Sequence, residues 1–361
     1  MSTGGRACRE DGWSTASVAS GLPDNGLMLQ ILAHVDYVTD PEGSPDPIGF
    51  LLDALAMPGT VPILLVGAVV TVGLLFAWAR WRPLEEARAR FVERAGTYRA
   101  YLPWMIRLSV GLVLIGSGLS RHRFLPTDEA GALTALLLTS TGFLLLIGFA
   151  VRPAALVALG AYVVTFVGRP ELVMMLDVAG ALAVAALLGP GAPSLDDLLR
   201  AAFPRGPGAK AATENLASGR YDDLVPLLVR IGLGGAFAAS GIADKLLIYD
   251  QALAAVDRYD LTSVVPVAPE LWVVGAILIE TALGLAILAG VLTRFSVVIG
   301  FAVLTLALFA LPDDPVVAHV GLFGLCSVLV ITGAGRWSLD RAVLAPLGER
   351  LARFGRIPTP D

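Results

Sequence analysis

The stretch PELWVVGAILIETALGLAILAGV, residues 269–291, decides the fold class. After Pro269-Glu270 it carries one ionisable side chain, Glu280, before Val291. At about 1.5 Å of rise per residue, a helix over this stretch reaches across a hydrocarbon layer about 30 Å thick. The rest of the chain carries the same signal. The 361 residues are 56% hydrophobic and 16% charged, with a mean hydropathy of +0.74, whereas a soluble domain carries about 25% charged residues. One water-soluble core cannot absorb that excess, which excludes a disordered chain, a secreted disulfide scaffold and an ordinary soluble enzyme.

Outward from this segment, eight further runs read as membrane helices. Four precede it at 103–121, 131–151, 153–168 and 171–189, one lies at 226–243, and two follow at 294–311 and 315–333. An extra span at 61–79 comes before them all. The fold class is therefore all-α and polytopic, with about nine transmembrane helices. Pro103, Pro153, Pro170, Pro226, Pro269 and Pro315 all stand at span starts, where a missing N–H costs nothing. Residues 1–60 hold no run long enough to cross and no signal-peptide pattern. They read as a flexible extracytoplasmic tail with a short interfacial helix at 48–57. Placing the N-terminus outside puts 19 of the 26 Arg and Lys residues on inner segments and seven outside. The expected arrangement is thus a multi-pass protein of the cell membrane, N-terminus outside and C-terminus cytoplasmic. Trp78, Trp81, Trp104, Trp272 and Trp337 fall near span ends, where indoles favour the interface; Trp13 lies in the tail.

The chain also repeats itself. Pro103-Trp-Met-Ile-Arg107 and Ser117-Gly118 recur 123 residues later as Pro226-Leu-Leu-Val-Arg230 and Ser240-Gly241. Gly148-x-x-x-Arg152 recurs as Gly290-x-x-x-Arg294, and Gly189-Pro-Gly-Ala-Pro-Ser-Leu-Asp196 as Gly333-Ala-Gly-Arg-Trp-Ser-Leu-Asp340. Four features in one order indicate a duplication. Four spans return a chain to its starting side, so the two four-helix bundle repeats should be parallel. The expected organisation is a tail at 1–60 and the extra span with a basic cytoplasmic connector at 61–100. The first unit at 101–200, a linker at 201–222, the second unit at 223–345 and a cytoplasmic tail at 346–361 follow.

The second unit resembles the DoxX family of four-helix membrane proteins. The likeness lies in Arg230-Ile-Gly-Leu-Gly, Ser240-Gly241-x-x-x-Lys245, Glu280-x-x-x-Gly284, Gly290-x-x-x-Arg294 and the Gly333–Asp340 ending. The first unit departs from it where His122 stands for Lys245 and Leu138 for Glu280. The resemblance implies a membrane subunit of a quinone-linked or thiol- and sulfur-related redox system, alongside redox partner subunits. An oxidoreductase subunit of that kind would act with quinone.

Charge inside a bilayer is costly and needs a reason. Glu280, near mid-span, is suited to passing protons or hydrogen-bonding a quinone carbonyl, and equally to bonding a neighbouring helix. His319, in the outer part of the last span, is placed for proton relay or packing; by the repeat its counterpart is Asp177. These two are the catalytic candidates. Lys245 reads as a snorkelling residue paired with its neighbour Asp244, and Arg230 and Arg294 as inner-boundary residues. These three are the ligand-binding candidates. Two cysteines, Cys8 and Cys326, with no Cys-x-x-Cys, do not make a dithiol centre or a cysteine zinc site, and no metal site is expected. A net charge of −5 gives no broad nucleic-acid affinity, which leaves the lipid bilayer and partner subunits. Ser194 and Ser338 read as caps of short inner-face helices, not as parts of a phosphate loop, because no strand precedes them. Two further functions fit the same residues: a non-catalytic membrane anchor or assembly factor, and a small-solute transporter.

Overall fold

The computed structural model describes residues 44–80, 83–119, 131–203, 221–311 and 316–346, and the side chains of 74–80 and 83–85 are not described. Expectations for residues 1–43, for the linker at 204–220, for His122, Trp13, Trp81, Cys8 and Pro315, for the side chain of Trp78, and for the tail from 347 lie outside what is described. Among the described residues all regular structure is helical.

Each of the nine apolar runs falls on a helix. Helix α1 (Pro47–Ala56) leads into α2 (Thr60–Arg80) and the basic α3 (Pro83–Gly96). A 3-10 turn at Thr97–Tyr101 joins α3 to the first unit: α4 (Leu102–Leu119), α5 (Gly131–Ile147), α6 (Val151–Gly168) and α7 (Leu176–Leu188). A 3-10 turn, Pro170–Met175, precedes α7. After the short α8 (Leu195–Ala202) comes α9 (Leu224–Ala239), prolonged by a π-helical turn, Ser240–Leu246. Helices α10 (Tyr249–Arg258) and α11 (Leu261–Val264) lie between the π-helical turn and the next long helix. Then follow α12 (Pro269–Ala289), α13 (Thr293–Ala310) and α14 (Val316–Thr332).

Five helical stretches are long and apolar enough to cross a membrane: Glu86–Leu119, Val151–Gly168, Leu224–Leu246, Pro269–Ala289 and Thr293–Ala310. Pro47–Ala56 and Thr60–Gly73, bent by 89°, make a sixth if counted together. Ala132–Ile147, Leu172–Leu188 and His319–Thr332 are apolar but shorter.

The two units do not form separate bundles. Helix α14, the last of the second unit, packs on α4, the first of the first unit, while α7 packs on α9. These four helices share one core, in which Ile106, Leu114, Leu182, Leu233, Leu325 and Leu329 are fully buried. The remaining helices pack outside it, α5 on α4 and α12 on α9. Close approach depends on small residues. A Cβ on Gly111 would lie 3.0 Å from the Gly142 carbonyl, and one on Gly284 would lie 2.6 Å from the Gly234 carbonyl. The α7–α9 crossing brings Gly180 and Gly232 together, and the α14–α4 crossing sets Gly324 on Ser109. Helix α2 stands apart: Ile63, Leu65, Val66, Val69, Val70 and Val72 are all exposed, as suits a helix facing lipid.

Candidate functional site

One end of each four-helix stretch is tied by an arginine. Arg107 donates to the Pro193 carbonyl at 2.5 Å and lies 3.5 Å from the Leu145 carbonyl. Arg230 donates Nε to the Ile287 carbonyl at 3.0 Å and Nη1 to the carbonyls of Ala334 (3.0 Å) and Trp337 (2.7 Å), and Nη2 bonds the Leu288 carbonyl. Both are buried. Arg152 Nη2 reaches the Leu187 carbonyl, while Arg294 gives Nε to Val330 at 2.9 Å and Nη2 to Ile331. A cation on the last carbonyls of a helix also suits the helix dipole.

Two aspartates complete this end. Asp340 accepts the N–H groups of Leu292 (2.6 Å) and Thr293 (2.9 Å), and its own N–H bonds the Gly290 carbonyl. Asp196 likewise accepts the Ala150 N–H, and its N–H bonds the Gly148 carbonyl. Leu292 and Ala150 both sit in the left-handed region, at φ of +45° and +48°, which the aspartates help to hold. Ser194 caps α8 by accepting the Asp197 N–H, as expected. The donors of Arg230 and Arg294 thus engage backbone carbonyls of the chain itself.

The bonds of Arg152 to Leu187 and of Arg294 to Ile331 are alike in kind, each joining an arginine near the start of one helix to a carbonyl at the end of the next. Asp177 and Gly321 meet in space: a Cβ on Gly321 would lie 3.0 Å from Asp177 Oδ2. His319 is wholly buried on α14, with its ring 6.3 Å from that of Phe323.

The opposite half of the second four-helix stretch is different. Side chains on a helix tilt toward its N-terminus, and α9 and α12 are antiparallel, so Lys245 and Glu280 point at each other. Lys245 Nζ lies 2.8 Å from Glu280 Oε2, 3.4 Å from Asp244 Oδ2 and 3.1 Å from Ser240 Oγ. Lysine, aspartate and glutamate side chains are 14%, 5% and 16% exposed. Lys245 therefore does not snorkel outward with Asp244 alone. Its ammonium turns back into the helix pair, because Glu280 offers a second carboxylate there. The π-helical turn widens the backbone at this point, an irregularity often found at functional sites. Ser240, Asp244 and Lys245 all lie on that turn. The adjacent Gly241 lets α12 approach: a Cβ there would lie 2.9 Å from the Thr281 nitrogen.

A cap covers this cluster. Helix α10 packs on both the π-helical turn and α12, with Ala252, Val256, Val273 and Ile277 forming a second small core. The N-terminal segment is clipped on top. The Ser44 N–H bonds the Leu247 carbonyl, Ser44 Oγ accepts the Asp250 N–H, and Tyr249 donates its hydroxyl to the Pro45 carbonyl. Phe50 stacks on Tyr249 with ring centroids 4.2 Å apart. Sequence reading anticipated a short helix near 48–57 but missed the cap. Its signal is the spacing of Tyr249, Ala252, Leu253 and Val256, one apolar helical stripe inside an acidic stretch.

Residues 225–313 match the DoxX family model. The DoxX match runs from α9 to the start of the break after α13, and so includes Arg230, Lys245, Glu280 and Arg294. No curated protein and no solved structure matches the chain. The DoxX region holds every member of the charged cluster, whereas His319 falls beyond it.

Proposed function

We propose that the chain is a multi-pass subunit of a quinone-linked redox system in the cell membrane, with the Lys245–Glu280 cluster as its quinone-headgroup site. The observation that carries this reading is the 2.8 Å ion pair between helices, enclosed below the α10 cap. A buried pair that served only stability would do as well as packed apolar residues. Leu138, at the corresponding place in α5, is such a residue and is 1% exposed. Glu280 would take up or release the proton that accompanies quinone reduction or quinol oxidation, and Lys245 would orient the headgroup oxygen. Electrons would pass to a redox partner subunit. His319 serves as a second protonatable group on α14, and Arg230 and Arg294 hold the frame that positions α12.

The same proposal includes nine spans, N-terminus outside and C-terminus cytoplasmic, with 101–200 and 223–345 as parallel copies. A 3-10 turn rises about 2 Å per residue, so Pro170–Leu188 spans about 31 Å despite its short α-helical part. The twin arginine and aspartate bonds at the inner ends favour the duplication.

A second reading, a membrane anchor or assembly factor, is favoured by one fact: three acceptors of the chain already surround the Lys245 ammonium. Solute transport ranks third. Purification of the full chain in mild detergent, with chromatography of extracted lipids, separates the readings. The redox reading expects bound quinone in wild type and its loss in Glu280→Gln with folding retained. Absence of quinone from both, with partner activity intact, supports the anchor.

A further inference from the structure

Helix α1 divides its surface three ways. One face meets the protein: Ala54 is buried, and Phe50 and Leu51 pack on the small core beneath α10. A second face is polar, with Asp53 exposed and Asp46 exposed at the N-cap. Ile48, Leu52 and Leu55 make the third. They recur at i, i+4 and i+7, so they line one side of the helix, and they are exposed at 69%, 61% and 39%. Leu51, Leu52 and Asp53 step round the axis by about 100° each, from protein to open apolar face to polar face.

The direction of α1 gives the apolar face its surroundings. Helices α1 and α2 meet at 89° across residues 57–59. Apolar side chains are exposed along α2, as suits a helix facing lipid. A helix at a right angle to a spanning one runs along the membrane plane. At the edge of a membrane protein such a helix meets protein, hydrocarbon and water on three sides, and α1 presents a face suited to each. A protein partner fits the stripe less well. Three side chains over about 10 Å of helix offer far less than the roughly 800 Å² that one side of a stable protein interface buries.

We infer that the Ile48–Leu52–Leu55 face of α1 docks into the headgroup layer of the bilayer, and that this contact holds the cap on the Lys245–Glu280 cluster. The other side of α1 carries the clip. Phe50 stacks on Tyr249, and Ser44 and Pro45, just before the helix, bond Leu247, Asp250 and Tyr249. Helix α1 also packs on α12, which bears Glu280. The lipid surface and the cap thus pull on opposite sides of one ten-residue helix. The inference requires only that the chain spans a membrane, and it stands whatever the cluster binds.

The test uses the full chain in phosphatidylcholine vesicles. With Cys8→Ser and Cys326→Ala as background, a single nitroxide is placed at Leu52→Cys or at Asp53→Cys. At position 52, collisions with oxygen should exceed those with a water-soluble nickel chelate at least about threefold, and at position 53 the order should reverse. A second measurement keeps the native cysteines. Amine labelling of Lys245, relative to Lys210, should be at least about threefold faster in Ile48→Asn with Leu52→Asn than in wild type. Both of these side chains are exposed, so the core beneath α10 keeps its packing. Nickel access at position 52 equal to that at 53 would place the stripe in water and overturn the inference. Exclusion of both reagents at position 52 would also overturn it, since residues 1–43, a second copy or a partner subunit would then cover the stripe. An unchanged Lys245 rate would overturn the hold on the cap.

Discussion

The arginine-latched ends of the two four-helix stretches are built alike, whereas their middles differ. At that end, Arg107 and Arg230 each tie the last carbonyls of the second helix to the loop after the fourth, and Asp196 and Asp340 each hold the start of the third. At the helix contact above, Gly118 packs on Thr139 as Gly241 packs on Thr281. One residue before those threonines the units part: Leu138 is buried in apolar surroundings, while Glu280 faces Lys245. What both units keep serves the frame. What one unit alone has is the place to look for function.

Breaking the frame should have the largest effect. Arg230→Ala leaves four backbone carbonyls without their donor and should cost about 3–5 kcal/mol, read as a loss of folded protein on thermal unfolding. Arg107→Ala removes bonds to two carbonyls, those of Leu145 and Pro193, and should cost about 2 kcal/mol. Equal costs would mean that the two latches are not differentiated as the number of their bonds indicates.

Making the second unit resemble the first is the next test. Glu280→Leu with Lys245→Met and Asp244→Asn removes all three charges of the cluster together, and stability should stay level or rise by about 1–4 kcal/mol. Glu280→Leu alone, which leaves Lys245 with Asp244, should destabilise by about 2 kcal/mol. The sign difference, measured by thermal unfolding, distinguishes a retained functional pair from one kept for stability.

The smallest effect concerns the cap. Phe50→Ala removes the stack on Tyr249 and should cost about 1 kcal/mol. The chain has two lysines, Lys210 and Lys245, so peptide mapping after amine labelling reports on each. Lys245 should label faster in Phe50→Ala than in wild type. An unchanged rate would show that α1 does not shield the cluster.

Most of the helices were legible because membrane hydropathy is a local property: Pro269 and Gly290 bracket α12 in the sequence as in the structure. The pairing of α14 with α4 was not, since it joins helices some 200 residues apart through small contacts such as Gly324 on Ser109. At the candidate site, Glu280 announced itself as a charge within an apolar run. The direction of Lys245 did not, because a lysine at the end of a helix can reach either way, and only the packing of α9 on α12 selects the one toward Glu280. Helix α10 was hidden by the acidic residues on its exposed side.

The most direct test of the account compares Glu280 with its counterpart in the other unit. Binding of a short-chain benzoquinone to the full chain should weaken at least about tenfold in Glu280→Gln and stay unchanged in Leu138→Gln, with both variants folded. Equal binding by wild type and Glu280→Gln, or equal loss in both variants, would contradict it.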